Sequence, residues 1–333
     1  MNPQAVKKAV AHLCEKKVPI FLWGAPGIGK SSVVAQIAKD AKIAFVDLRL
    51  SLLDPTDLRG IPFFDAKTND AIWAPPSFLP KADNKEGILF LDELNTAAPM
   101  VQAAAYQLIL DRKIGEYTLP DGWAIVAAGN RESDRGVVFR MASPLANRFV
   151  HLEMESDLKD WRKWAMQMGV DPIIIAYLAY RPDALFDFDA NKDSKSFATP
   201  RSWEYVNKIL TSTPEVELLM PMVSGAIGEE LAASFLGFRE VAETLPNMDD
   251  ILEGKAVEVP TDTAALHVLS TSLSMRLAFE TRTKVLNNVV EFTLGIPGEF
   301  AVMIVNDLRE RGIELDNTDS WTKWLKNFNH LMH

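Results

Sequence analysis

The sequence has little of what several classes of protein require. Of its 333 residues only Cys14 is a cysteine, so an internal disulfide is excluded and a reducing compartment, by default the cytoplasm, is expected. The uncharged apolar runs, such as IIIAYLAY at 173–180, are far shorter than the roughly 20 residues that cross a bilayer. The first residues, MNPQAVKKAV, lack the apolar core of a signal peptide. Neither membrane insertion nor secretion is therefore expected.

Basic residues are also scarce. Lys and Arg number 35 against 45 Asp and Glu, the net charge is −10, and no run of basic residues is longer than two, as in Lys16-Lys17. Proteins that hold phosphate backbones usually carry a basic stripe, so the composition argues against nucleic acid as the main partner. The five histidines and one cysteine form no zinc spacing such as H-E-x-x-H, and no G-x-S-x-G serine elbow occurs.

The sequence is rich in short apolar runs that alternate with helical patterns. Such runs, when helices separate them, predict a parallel sheet that is covered on both faces. The predicted strands are 19–23, 43–49, 87–92, 123–129 and 149–153.

Helical patterns precede and follow these strands. A helix is predicted over 3–15, and the chain turns helical again from about 156. There Ser156 or Asp157 would cap a helix that stops at Gly169, and Thr199 would cap another. A last set of helices is expected over roughly 263–331, where Trp321 and Trp324 are three residues apart, as in a packing stripe, although a docking helix is the alternative.

Two segments interrupt this alternation. One lies at about 55–78 and is predicted to be a hairpin that interrupts a helix, and the other is predicted to be a hairpin at 113–123.

The segment GAPGIGKS at 24–31 fills the pattern G-x-x-x-x-G-K-[S/T] between a predicted strand and a predicted helix. Its glycines let the backbone curl so that successive N–H groups face phosphate oxygens, and the helix adds its positive N-terminal end. Lys30 would neutralise the β- and γ-phosphates, and the Ser31 hydroxyl would bind Mg²⁺. ATP and Mg²⁺ are thus the expected cofactors. The predicted ATP-binding residues of this segment are Gly24, Ala25, Pro26, Gly27, Ile28, Gly29, Lys30, Ser31 and Ser32.

Two acidic residues lie at the end of the predicted strand GILFLD. Asp92 is the last residue of the strand, and Glu93 follows it. Asp92 would bind nucleotide through Mg²⁺, by way of a water molecule in the metal's shell, and Glu93 would polarise the attacking water. Asn130, after the strand WAIVAAG, would orient water and contact the γ-phosphate, although a lone asparagine after a strand is more often a turn residue. Glu93 and Asn130 are accordingly predicted to be catalytic, and Ser31 and Asp92 to be the metal ligands.

Together these motifs resemble the AAA+ ATPases, and more narrowly the MoxR type within the helix-2-insert clade. The matching motifs are GAPGIGKS, LFLDELN, AAGN, SPLANRF at 143–149 and TPRSW at 199–203. The likeness covers about residues 5–238. It implies an α/β P-loop NTPase sheet flanked by helices over 1–153, with inserts at 55–78 and 113–123. A helical lid over 154–240 and a linker with a helical C-terminal extension over 241–333 would follow.

The resemblance also implies a ring, commonly a hexamer, with ATP bound between subunits. Asn130 then corresponds to the sensor-1 residue, Arg148 to a catalytic arginine finger that acts on a neighbouring subunit, and Arg201 to the sensor-2 residue that binds ATP. The chain has Asn147 where the family often has an acidic residue. Whether a second arginine of the same loop acts between subunits stays open, the candidates being Arg131, Arg135 and Arg140.

The residues themselves give partial support for these two arginine roles. Arg148 precedes a strand, at the end opposite to that strand's nucleotide-facing carboxyl end, so it could face a neighbour more easily than its own phosphates. Arg201 lies in the first turn of a helix, where the dipole disfavours a cation, and this suggests a phosphate partner. The alternative for Arg201 is a surface pair with Glu204.

Three functions follow from this sequence. The first is an ATP-hydrolysing, chaperone-like remodeller of a partner protein, which the resemblance suggests would contain a von Willebrand factor A domain. The second is a nucleic-acid motor, which would need basic hairpin tips, whereas the tips here are mixed in sign. The third is a nucleotide-gated assembly scaffold with little hydrolysis, and the presence of Glu93 argues against it.

Overall fold

The structure is a computed structural model that describes residues 1–65, 67, 69–81, 83, 85–134, 139, 141–189, 195–212, 215–242 and 245–331. Contacts between residues divide the chain into two compact units. The first covers Met1–Asp160, and the second covers Trp161–Phe188 and the described residues from 195 onward. The domain boundaries that the sequence predicts after residues 153 and 240 stay predictions.

The described strands all belong to the first unit. They are β1 (Ile20–Trp23), β2 (Ala44–Arg49), β3 (Ile61–Asp65), β4 (Asp70–Ala74), β5 (Gly87–Asp92), β6 (Lys113–Ile114), β7 (Tyr117–Thr118), β8 (Trp123–Gly129) and β9 (Val150–Glu153). Five of them form one parallel sheet in the spatial order β2-β5-β8-β1-β9. The predicted parallel sheet is confirmed, and each predicted strand agrees with the structure to within one residue.

The order of the strands indicates which edge of the parallel sheet is suited to bind a ligand. The chain leaves β1 toward β2 on one side of the sheet and later reaches β9 on the other side. The carboxyl end of β1 is therefore a topological switch point, the place where open α/β sheets bind ligands. The inner strands around it are apolar because both faces are covered: every residue of β8 is buried, and so are the first five residues of β5.

Helices surround this sheet. They are α1 (Pro3–Glu15), α2 (Lys30–Ala41), α3 (Pro55–Arg59), α4 (Pro99–Asp111) and α5 (Ser143–Ala146). The predicted helix over 3–15 is confirmed: the Asn2 side chain accepts a hydrogen bond from the Ala5 N–H at 2.9 Å and caps α1. Buried side chains of α4 and of the sheet, among them Leu108, Leu89 and Phe21, form a single core.

Both segments where the sequence predicts hairpins contain one. β3 pairs with β4 in antiparallel fashion, from Ile61 opposite Ala74 onward, and β6 pairs with β7. The prediction that the first hairpin interrupts a helix is wrong, since α3 ends before it and no helix follows among the described residues between 75 and 86. Pro75 and Pro76 explain this, because proline lacks the N–H donor that a helix interior needs and disfavours helical backbone in the residue before it.

The helices that begin near Asp160 or later extend through the second unit. They are α6 (Leu158–Gln167), α7 (Pro172–Tyr180), α8 (Pro200–Thr211), α9 (Val216–Ile227), α10 (Glu229–Ala242), α11 (Met248–Glu253), α12 (Thr263–Arg276), α13 (Thr283–Thr293), α14 (Gly298–Glu310) and α15 (Trp321–Phe328). The Asp160 N–H donates to Asp157 Oδ1 at 2.8 Å, so Asp157 rather than Ser156 provides the predicted capping side chain at the start of α6. The helices predicted over roughly 263–331 are α12 to α15.

Two features of the second unit bear on the sequence predictions. Trp321 and Trp324 stack with their ring centres 5.1 Å apart and are buried in the core of α12 to α15, so they are packing residues and not the exposed surface of a docking helix. α12 also packs against α7 and α10. No described helix of the chain is long and apolar enough to cross a membrane.

Candidate nucleotide site

The predicted phosphate-binding segment is the loop between β1 and α2. Gly27 and Gly29 have φ angles of +77° and +94°, which glycine adopts without the strain that a side chain would bring. Gly29 is also the N-cap residue of α2, so the helix begins at Lys30 with its N-terminal end open toward the loop. At Gly24 an added Cβ would lie 2.8 Å from the Met154 carbonyl oxygen, so only glycine allows this close backbone approach. The loop therefore has the curled backbone that the spacing predicts.

Lys30 connects this loop to the end of β8, a strand that is far from it in the sequence. Its Nζ donates hydrogen bonds to the Gly24 oxygen at 2.6 Å, to the Ala25 oxygen at 3.1 Å and to Asn130 Oδ1 at 3.0 Å. Asn130 follows β8 and is 100 positions from Lys30 in the sequence. The structure thus brings together two residues that the sequence analysis selected for separate reasons.

Asp92 and Glu93 stand at the carboxyl end of β5, the neighbour of β8. Asp92 Oδ1 accepts a hydrogen bond from the Glu93 N–H at 2.9 Å. Burial raises the pKa of the Asp92 carboxyl above its ordinary value. The hydrogen bond from Glu93 and the charge of Lys30 oppose this shift, whereas the charge of Glu93 adds to it. Asp92 is therefore a half-buried carboxylate whose ionised form gains from a nearby cation.

Glu93 has a backbone conformation that is unusual for a residue with a side chain. Its φ is +56°, in the left-handed region, which is uncommon for a residue with a Cβ and costs on the order of 1–3 kcal/mol. The turn that follows stabilises it, because the Glu93 oxygen accepts hydrogen bonds from the Thr96 and Ala97 N–H groups, each at 3.1 Å. This turn presents the Glu93 side chain beside Asp92 at the edge of the sheet.

Two partners of the Glu93 carboxylate were missed by the sequence analysis. The Ser51 hydroxyl donates a short hydrogen bond to Glu93 Oε2, and Arg49 Nε lies 3.7 Å from Glu93 Oε1. Both follow from the pairing of β2 with β5, in which Arg49 lies opposite Asp92. The segment DLRLS shows the residues, but nothing in the sequence says that β2 and β5 are neighbours.

Asn95 was also missed. It is 1% exposed, and its Nδ2 donates to the backbone oxygen of Asn130 at 2.7 Å. The only signal in the sequence was its place in the LDELN segment, three residues after Asp92.

The arginines that were predicted to act between subunits have different surroundings. Arg148 lies in the turn between α5 and β9, is exposed, and makes no side-chain hydrogen bond or ion pair with the described residues. Arg131 is instead paired with Glu153, its Nη1 lying 3.0 Å from Glu153 Oε1. Arg135 and Arg140 lie outside the described residues.

Arg201 belongs to the second unit, in the first turn of α8, and its side chain is exposed. Arg201 and Glu204 are both described, and no ion pair within 4 Å forms between them. Burial raises the pKa of the Glu204 carboxyl, and the charges of Lys208 and then Arg201 lower it in part. The role of Arg201 in binding ATP stays a prediction.

The donor set at the sheet edge fits Mg²⁺ with a nucleotide triphosphate. Mg²⁺ prefers oxygen ligands and usually takes one or two carboxylates together with phosphate oxygens. The Asp92 carboxylate and the Ser31 hydroxyl, in the first turn of α2, supply such oxygens, and the raised pKa of Asp92 marks a carboxylate that a cation would stabilise. Lys30 and the open end of α2 provide positive charge for phosphate.

Residues 20–153 match the family described as "ATPase family associated with various cellular activities (AAA)". The match begins at the first residue of β1 and ends at the last residue of β9, so it covers the whole parallel sheet. The candidate site from the phosphate loop to Arg148 lies inside it, and Arg201 lies outside it. Residues 20–153 are therefore an AAA ATPase family domain.

Individual proteins are similar to parts of this chain. Midasin of Giardia intestinalis is 29% identical over 171 residues, which are 48% of this chain and only 4% of midasin. A mutant RuvB of Thermotoga maritima is 20% identical, with 85% of this chain and 87% of RuvB covered and a TM-score of 0.38. NtrX of Brucella abortus in complex with ATP is 15% identical, with 96% of this chain and 67% of NtrX covered and a TM-score of 0.39.

Proposed function

We propose that the AAA ATPase family domain at residues 20–153 binds ATP with Mg²⁺ and hydrolyses it, and that the chain is an ATPase of the MoxR type. The observation that carries the proposal is the 3.0 Å hydrogen bond between Lys30 Nζ and Asn130 Oδ1. It joins the phosphate loop after β1 to the end of β8. Asp92 ends β5, the next strand of the sheet, and Glu93 follows it. The parts that phosphoryl transfer to water requires thus occupy one edge of the sheet.

Binding would use the loop 24–31 and the first turn of α2. Their N–H groups and Lys30 would hold the phosphates, and the Ser31 hydroxyl and Asp92 carboxylate would hold Mg²⁺. When bound, Mg²⁺ would withdraw charge from the phosphate oxygens. Lys30 already points into the loop, where two backbone oxygens and Asn130 Oδ1 accept its hydrogen bonds. Phosphate oxygens are stronger acceptors for this ammonium group than neutral carbonyl oxygens.

Hydrolysis would use Glu93 and Asn130. The Glu93 carboxylate polarises the attacking water, and the Asn130 amide orients it. Ser51 and Arg49 each contact one oxygen of Glu93, so they restrict where that carboxylate can point. A carboxylate that is held by neighbours loses less conformational freedom when water and phosphate are brought together.

Arg148 would complete the site of a neighbouring copy. Its side chain is exposed and has no hydrogen-bond or ion-pair partner among the described residues, so it is available to a second chain. We therefore assign it the role of an arginine finger in a ring, a hexamer by resemblance to the MoxR type. Arg131 fits this role less well because it is paired with Glu153.

The partner of such a ring would be a protein. The described side chains of the β3–β4 hairpin include Phe63 and Phe64, which are 58% and 70% exposed, together with Ile61 and Ile72. Exposed apolar side chains of this kind contact proteins rather than phosphate backbones. Remodelling of a protein with a von Willebrand factor A domain is what the resemblance to the MoxR type suggests.

The test of ATP hydrolysis is a Glu93→Gln variant. The amide keeps the shape of the side chain and cannot polarise water as a carboxylate does, so turnover should fall by about 10²–10⁴-fold while Mg·ATP still binds. Glu86→Gln is the matched control, because Glu86 is exposed and precedes the opposite end of the same strand, β5. Phosphate release measured with and without Mg²⁺ gives the result. Wild-type turnover in Glu93→Gln would exclude Glu93 as the water-activating group.

A further inference from the structure

Asn95 contacts the two ends of the segment that follows β8. Its Nδ2 donates to the Asn130 oxygen at 2.7 Å, and its own backbone oxygen accepts a hydrogen bond from the Phe139 N–H at 2.8 Å. Asn95 itself lies in the turn after β5, two residues after Glu93, and is 1% exposed. One buried residue therefore holds the backbone on both sides of residues 131–138.

The contact with Asn130 depends on the glycine before it. An added Cβ at Gly129 would lie 2.2 Å from Asn95 Oδ1 and 2.7 Å from Asn95 Cγ. Any larger residue would push the amide of Asn95 away from the strand. The bare Cα of Gly129 thus lets the end of β8 approach the Asn95 side chain closely.

The direction of the amide is fixed by its acceptor. The partner of Nδ2 is a carbonyl oxygen, and the reversed amide would place two oxygens against each other. Asn95 Oδ1 is buried and has no hydrogen-bond partner among the described residues. A buried amide oxygen without a partner is unfavourable for folding, so it offsets part of the stability that the Nδ2 hydrogen bond contributes.

Asn130 connects Asn95 to the candidate nucleotide site through a second hydrogen bond. Asn95 fixes the backbone of Asn130, and the Asn130 side chain reaches Lys30 Nζ at 3.0 Å. Leu94, the residue before Asn95, is held against β8 as well, since its N–H donates to the Ala128 oxygen at 3.0 Å. The turn that carries Glu93 and the strand end that carries Asn130 are therefore joined through Asn95.

We infer that Asn95 is a positioning residue, which acts by setting the place of the Asn130 amide between the Glu93 turn and Lys30. The inference rests on the proposed function, in which Asn130 orients the attacking water. Displacement of a catalytic group by about 1 Å can reduce turnover by about 100-fold. The hydrogen bonds of Asn95 with the described residues go to Asn130 and Phe139 and not to the phosphate loop, so ATP binding should persist when the Asn95 donor is removed.

The experiment is a double-mutant cycle on turnover at saturating ATP with the full chain. Asn95→Leu removes the donor at similar volume, and Asn95→Asp keeps the shape and replaces the donor by an acceptor, in case the leucine variant does not fold. Each is combined with Asn130→Ala. Gln102→Leu is the matched control: Gln102 is 7% exposed, and its Nε2 donates to the Ala97 oxygen at 3.0 Å without contact to Asn130.

The expected result has three parts. The Asn95 variants lower kcat by about 10-fold to 100-fold and change the dissociation constant of a fluorescent nucleotide by less than about 3-fold. In the Asn130→Ala background they lower kcat by less than about 2-fold, since the residue through which they act is absent. Gln102→Leu lowers stability and leaves kcat near that of the wild type.

Three results would overturn the inference: an unchanged kcat in the Asn95 variants, an equal loss in Gln102→Leu, or a loss that adds fully to that of Asn130→Ala. The failure of the proposed function has a different signature, because wild-type chain would then release no phosphate, or Asn130→Ala and Glu93→Gln would turn over at the wild-type rate.

Discussion

At the scale of single residues, the adjacent carboxylates of Asp92 and Glu93 have different surroundings. Asp92 is half-buried, and burial raises the pKa of its carboxyl, so a nearby divalent cation stabilises its ionised form. The Glu93 side chain is 36% exposed and contacts Ser51 and Arg49. The first carboxylate is suited to a metal shell, and the second is suited to contact water.

Lys30→Ala should abolish measurable nucleotide binding. The variant removes the ammonium group that would face the β- and γ-phosphates, and hydrogen bonds to charged groups of about 1.5–3 kcal/mol correspond to roughly 10-fold to 100-fold in affinity for each bond lost. Lys39→Ala, an exposed lysine at the end of the same helix, is the control. Titration with a fluorescent nucleotide measures both. Equal affinity in the two variants would mean that the loop has a structural role alone.

The residues of the site could be predicted only in part. Lys30 and the glycines of the loop could be selected as candidate phosphate-binding residues because their spacing within eight residues is specific for a phosphate-binding loop. Ser51 and Arg49 were missed because their contact with Glu93 requires β2 and β5 to be neighbours. The order of strands in a sheet depends on long-range packing, which no local pattern in one sequence reports.

At the scale of elements, the start of α8 is fixed by a capping box. The Thr199 hydroxyl accepts from the Ser202 N–H at 3.1 Å, and the Thr199 N–H donates to Ser202 Oγ at 2.7 Å. Both residues are buried, 4% and 6% exposed, so water cannot replace these bonds. The sequence predicted this cap correctly, because a threonine before proline is a local signal.

Thr199→Val should lower the free energy of unfolding by about 1 kcal/mol, since it removes the cap hydroxyl at constant shape. Thr211→Val is the control in the same helix: the Thr211 hydroxyl is exposed and donates to the Asn207 oxygen at 3.0 Å, so its loss should change the free energy by less than about 0.5 kcal/mol. Urea unfolding followed by circular dichroism compares the two. An equal effect of both substitutions would contradict the capping account.

Elements were predicted well where a local pattern decides them. The sheet strands follow from apolar runs, and α1 follows from a helical periodicity. The prediction that a helix resumes after the β3–β4 hairpin was wrong, because Pro75 and Pro76 stop a helix for steric reasons. For Trp321 and Trp324, the spacing alone could not separate a packed stripe from an exposed docking face.

At the scale of the whole molecule, net charge makes a prediction about partners. With a net charge of −10, the chain repels a phosphate backbone at long range. We therefore expect no binding of duplex or single-stranded DNA tighter than about 1 µM at physiological salt. Fluorescence anisotropy at several salt concentrations is the measurement. Sub-micromolar binding that weakens as salt rises would favour the nucleic-acid motor over the protein remodeller.

We propose that ATP is hydrolysed at a site shared by two copies of the chain. Arg148→Ala should bind ATP and hydrolyse it about 10³–10⁵-fold more slowly, because the finger is absent. Glu93→Gln lacks the group that activates water but still presents a normal Arg148. A mixture of the two inactive variants should form interfaces in which one copy supplies Glu93 and its neighbour supplies Arg148.

Turnover of that mixture is the most direct measurement, with each variant alone at the same total concentration as the control. We predict that activity partly returns, and that it rises with time and protein concentration as subunits exchange. Exchange is followed independently with a labelled subunit. A mixture that stays inactive although exchange is complete would contradict the account, and Arg148 would then act within its own chain or only stabilise the fold.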